Sequence, residues 1–157
     1  MLKLDELIYN AIKADANLMN VVGGRVASTC FEVSPDENDN TPLPYIVIRD
    51  EGKHPASQTK DDDWMPSNWQ VGAAIEIGAQ DKNEVDDIAM MAIRAVNNYV
   101  KTLYGNGNYI PNLIEGFPHT DGVQWDWMKP CFWDLVHYQC DVENKYDDEQ
   151  DESNSDI

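Results

Sequence analysis

The chain has 157 residues, 42% of them apolar and 10% aromatic, which is enough to build one domain with a buried core. Its formal net charge is −18, from 29 acidic and 11 basic residues, and no Lys/Arg cluster offsets that field. Binding to the outside of DNA or to anionic lipid is therefore excluded as a primary activity, and no stretch approaches the ~20 apolar residues of a membrane span.

Leu4, Leu7, Ile8, Ala11 and Ile12 fall at the i, i+3, i+4, i+7, i+8 spacing of one helical stripe. The acids within these first turns, and the lack of a long apolar run, read against a secretory signal. Asp15 suits the N-cap of a fresh short helix carrying Leu18, Met19, Val21 and Val22. Gly23-Gly24 takes the left-handed backbone that closes a helix, and Arg25–Ala27 opens a first strand. Residues 32 to 43 are polar and read as loop.

Pro44-Tyr45-Ile46-Val47-Ile48 is β-rich without clean alternation, as for a strand covered on both faces. Residues 50 to 68 carry Gly and two Pro with no period, and read as one long loop. Trp69 to Ala79 is a strand with Val71, Ala73, Ile75 and Ile77 on one face. Asp81 and Glu84 start a helix like a capping box, and its stripe runs Val85, Ile88, Ala89, Ala92, Ile93, Val96, Val100, Leu103 before Gly105 ends it. Residues 105 to 122 read as a second loop. Val123, Trp125 and Trp127 alternate, Pro130 turns the chain, and Trp133 to Val142 alternates again, so a closing antiparallel hairpin is expected. From about Asn144 the text is acidic and almost without apolar residues, so residues 1–143 are expected to fold and 144–157 to form an acidic disordered tail.

Chemical signatures are thin. Asp36, Asn38 and Asn40 have EF-hand spacing, but Thr41 and Val47 stand where that loop needs Gly and Glu. "GNGN" at 105–108 lacks the further glycine and the lysine of a phosphate loop. Asp86 and Asp87 fall on the polar face of the long helix, and Trp125, Trp127 and Trp133 are expected in the core. Cys30, Cys131 and Cys140 form no CxxC pair, so reduced thiols in a cytosolic setting are expected. His54, His119 and His137 are far apart in sequence, and His137 finds no partner pair for a triad or zinc site. No catalytic, cofactor-binding or metal-ligating residue is expected, and no cofactor. Trp64 and Met65 are the exception to a polar loop: with Lys60, Asp61, Asp62 and Asp63 they are the candidate interface residues.

The order of elements, with "IYNAIKADANLMNVVGGRV", "PLPYIVIRD" and "VGAAIEIGAQDKNEVDDIAMMAIRAV", resembles the tail-completion (tail-terminator) proteins of long-tailed bacteriophages and prophages over roughly residues 4 to 142. The resemblance implies an α+β fold: a small antiparallel sheet of about four strands, with a long helix and an N-terminal helix packed against it. It also implies a homo-oligomeric ring, commonly a hexamer, at the head-proximal end of the tail tube. Such a ring contacts the tail tube protein and a head–tail connector or neck protein. DNA passes through its lumen without specific binding, no membrane is involved, and no catalysis is expected. The setting implied is the virion tail or neck, assembled in the bacterial cytoplasm. The 104–122 loop and the acidic tail are longer than that pattern. The residues also leave open another neck or head-closure ring protein, or an acidic adaptor that mimics DNA on a basic partner.

Overall fold

A computed structural model describes residues 3–28, 42–57, 68–105, 118–128 and 130–143. These residues form an α+β fold, with three helices packed against a mostly antiparallel six-stranded sheet.

Helix α1 (Leu4–Ala14) buries Leu4, Ile8, Ala11 and Ile12, the stripe that its spacing sets out. Asp15 breaks it in extended backbone and caps α2 (Ala16–Val21), its Oδ1 accepting from the Leu18 N–H at 2.9 Å. Gly23 and Gly24 hold positive φ angles of 60° and 73°, and the Gly24 N–H donates back to the Met19 carbonyl. This is the left-handed stop that lets the chain turn out into β1 (Val26–Ser28). Arg25 then reaches across the sheet's first pair. Its Nε donates to the Pro44 carbonyl at 2.8 Å and its Nη2 to that of Leu43 at 3.3 Å. The "GGRV" and "LPY" stretches are thus two halves of one clasp.

Strand β2 (Tyr45–Ser57) pairs antiparallel with β3 (Asn68–Ala79), which pairs antiparallel with β6 (Cys131–Glu143). Helix α3 (Lys82–Gly105) starts at Asp81, whose Oδ1 accepts from the Asn83 N–H. Its buried line is Val85, Ile88, Ala89, Ala92, Ala95, Val96 and Val100, while Ile93 and Leu103 sit only half-buried at its margin. The core lies between α1 to α3 and one face of the sheet, carried by Ile46, Ile48, Val71, Ala73, Ile75, Ile77, Val136, Tyr138 and Cys140.

The sheet differs from the expected one in three ways. It has six strands, not about four: β4 (His119–Thr120) and β5 (Gln124–Asp126) both pair with β6. β5 with β6 is the closing hairpin that the alternation of Val123, Trp125 and Trp127 predicts, whereas β4 is too short to show a period and lies in a Gly/Pro-rich stretch. One pair is parallel, β1 with β2, because the chain makes a long excursion between them instead of a tight turn. Finally, residues 50–57 are strand, not loop. Pro55 is tolerated there because, among the described residues, β1 covers only Ile46 to Ile48, so this part of β2 is an edge that needs no donor on its outer side.

Candidate functional site

The sheet face away from the helices carries two polar clusters. In the first, Tyr45 is directly opposite Gly78, and a Cβ on that glycine would collide with the tyrosine ring. The phenol donates to Glu76 Oε2 at 3.1 Å, and Arg49 Nη2 meets Glu76 Oε1 at 2.6 Å. Burial and the Glu76 charge push the Tyr45 phenol far above its ordinary range, so it acts as a fixed donor.

The second cluster is built from three strands. His137 on β6 faces away from the core, since its neighbours Val136 and Tyr138 take the helix side. A register shift between Asp50 and Gly52 in β2 leaves Glu51 unpaired in the ladder. Gly52 takes a φ of 82°, and its N–H donates to Asp50 Oδ1. Between them runs β3, where Gly72 has no side chain to block the way. A Cβ there would lie 3.4 Å from that of Glu51. Glu51 therefore reaches over β3 and meets His137 Nδ1 at 2.8 Å. On the other side β4 sets His119 opposite His137, with the two rings stacked at 4.9 Å and 20°. Two residues on, on the same side of the chain, Asp121 meets His137 Nε2 at 2.8 Å.

His137 is thus held at both ring nitrogens, with 16% of its side chain exposed. Burial works against its charged form, but the hydrogen bonds and charges of Asp121 and Glu51 outweigh that and raise its pKa above the ordinary histidine value. Beside it opens a cavity of about 220 Å³, bordered also by His54, Gln70 and Gln139. The described residues that line it carry carboxylate, imidazole and amide groups, and no hydroxyl or thiol is among them. What the cluster offers is imidazole and carboxylate donors that converge on one point.

The sequence reading missed this cluster. Two histidines 18 positions apart become neighbours only through the β4–β6 register, and Glu51 joins them only through a bulge. The one local signal is the spacing of His119 and Asp121, which in extended chain places both on one face. Asp86 and Asp87 are exposed on α3, as their position on its polar side requires. Trp125 and Trp127 are not core residues. They are 39% and 85% exposed, because β5 lies at the sheet margin, and Met128 beside them is 85% exposed. The Trp125 ring meets Trp127 and Phe132 edge-on. Lys60, Asp61, Asp62, Asp63, Trp64 and Met65 lie outside the described residues, within the connection between β2 and β3. No family model and no curated protein matches the chain.

Proposed function

We propose that this chain is a structural subunit of a long-tailed phage particle, a tail-completion protein. In this reading it assembles as a ring, of six copies, on the head-proximal end of the tail tube. The ring ends tube growth and joins tail to head. The sequence resemblance suggests the reading, and one observation in the fold supports it best. β2 runs on beyond the helix layer, with residues 49 to 54 all exposed. Among the described residues its outer edge is unpaired past Ile48, and the outer edge of β6 is unpaired past His137. An isolated chain leaves such edges as templates for further strands, and ring neighbours of the same kind would satisfy them.

The turn of Trp125, Trp127 and Met128 supports the same reading. Aromatic and methionine side chains are enriched in interface cores, and copies that each carry −18 need apolar contact to stay together. A wall of acidic subunits also suits a DNA conduit, because it repels phosphate and lets the duplex slide.

Mass photometry across salt and protein concentration, followed by negative-stain microscopy with isolated tail tubes, tests the proposal. Rings in solution or caps on tube ends are expected, favoured by added salt as it screens like charges. A chain that stays monomeric throughout and never decorates a tube end refutes it. A tight complex with a basic host nuclease would instead favour the DNA-mimic alternative. Decoration of the head's exit and not the tube end would point to a head-closure ring.

A further inference from the structure

The cluster on the sheet face away from the helices brings together donor types that suit a metal ion, independently of any ring. We propose that His119, Asp121 and His137 form a binding site for a first-row divalent cation of the zinc class, with Glu51 as the outer carboxylate that orients His137.

Four observations carry this. Each of the three residues offers one donor atom, and these atoms all lie within 4.8 Å of one another. Zinc bonds of about 2.0–2.2 Å in a tetrahedron place ligand atoms roughly 3.3 Å apart. His137 Nε2 and Asp121 Oδ2, at 2.8 Å, are already near that separation. The remaining gap is closed by His119, which is exposed on a strand of two residues and has room to turn its ring.

Second, Glu51 holds Nδ1 of His137 at 2.8 Å. In the metal-free chain Nε2 meets Asp121, so an ion bound at Nε2 takes the place of that hydrogen bond while Glu51 keeps its partner on Nδ1. It is the carboxylate–histidine–metal arrangement by which proteins orient ligating imidazoles. Third, the donor types select the ion. Two imidazoles and one carboxylate suit zinc and its first-row neighbours, whereas calcium and magnesium require oxygen-rich shells. Fourth, His119 and His137 border the cavity, so the fourth position of a tetrahedral ion has space for water or an incoming ligand. A cation here ties β4 to β6 and, through Glu51, to the bulge of β2. The site would therefore staple the sheet's least supported strand.

The test uses the full-length untagged chain, stripped with a chelator and titrated with zinc chloride by calorimetry near neutral pH. One ion per chain is expected, with a rise in Tm on saturation. Cobalt substituted at the site should give the visible absorption of a four-coordinate ion. Glu51→Gln should weaken binding by about 10–100-fold, as loss of an outer-shell partner does. His119→Gln should abolish the binding and the Tm rise while leaving the circular dichroism of the metal-free protein unchanged. His119 is exposed, so this variant remains informative even where His137→Gln fails to fold. Absence of saturable zinc binding by the native chain overturns the proposal. So does stoichiometric binding that survives the His119→Gln/Asp121→Asn double variant, since the ion would then sit elsewhere.

Discussion

Gly78→Ala is the substitution whose cost the fold defines most sharply. The new Cβ would occupy space now filled by the Tyr45 ring, so the ring must leave. In leaving it gives up its hydrogen bond to Glu76 and its buried seat, where the residue is only 5% exposed. A hydrogen bond to a charged partner is worth about 1.5–3 kcal/mol. Alanine restricts the unfolded chain and returns about 0.4–1 kcal/mol where its backbone angles are allowed. On the hydrogen bond alone the net loss should be roughly 0.5–2.5 kcal/mol, or about 1–10 °C in Tm for a domain of this size. The decisive measurement is a double-mutant cycle by urea unfolding. In a Tyr45→Ala background no ring stands in the way, so Gly78→Ala should become neutral or stabilising. A penalty of equal size in both backgrounds would show that the ring is not the cause and would refute the reasoning.

Ile88→Asp places a charge in the interior of the α3 layer and should abolish the cooperative unfolding transition, whereas Ile93→Asp, at the half-buried margin, should leave a folded but weakened domain; circular dichroism melts separate the two. The Tyr138 hydroxyl is buried with no hydrogen-bond partner among the described residues, so Tyr138→Phe should leave the urea midpoint unchanged or raise it; a large loss would reveal a hidden partner. Burial pushes the Cys140 thiol up to about 11, with the Asp141 charge adding to it, so in a Cys30→Ala background thiol reagents near pH 8 should label the native chain negligibly and the urea-unfolded chain at two sites. Burial also raises the Asp134 carboxyl, against the opposing N–H donors of Leu135 and Gly122. Its folded form therefore holds a proton more tightly than the unfolded chain, and stability should fall as pH rises out of the ordinary aspartate range; Asp134→Asn should flatten that slope.

The helices were legible because their signals are local. Leu4 to Ile12 and Val85 to Val100 state a helical period, while Asp15, Asp81 and the Gly23-Gly24 pair mark where it starts and stops. β3 was legible for the same reason, through strict alternation. The outer half of β2 was not, because "DEGKHPAS" follows the grammar of a turn. Its extended form is imposed by pairing with β3, from Gly52 opposite Gly72 to Ser57 opposite Asn68. The histidine–carboxylate cluster was the least legible part. It depends on the registers of two strand pairs at once, and a shift of one residue in either would turn His119 or His137 to the other face.

The Arg25 clasp has a practical consequence. Val26 is paired with Ile46, and the guanidinium is anchored on the carbonyls of Leu43 and Pro44, so the two ends of the intervening excursion are fastened whatever its length. Doubling such a span costs only about 0.6 kcal/mol of closure entropy. An epitope or fluorescent reporter inserted between positions 28 and 42 is accordingly expected to leave the pairing of β1 with β2 undisturbed.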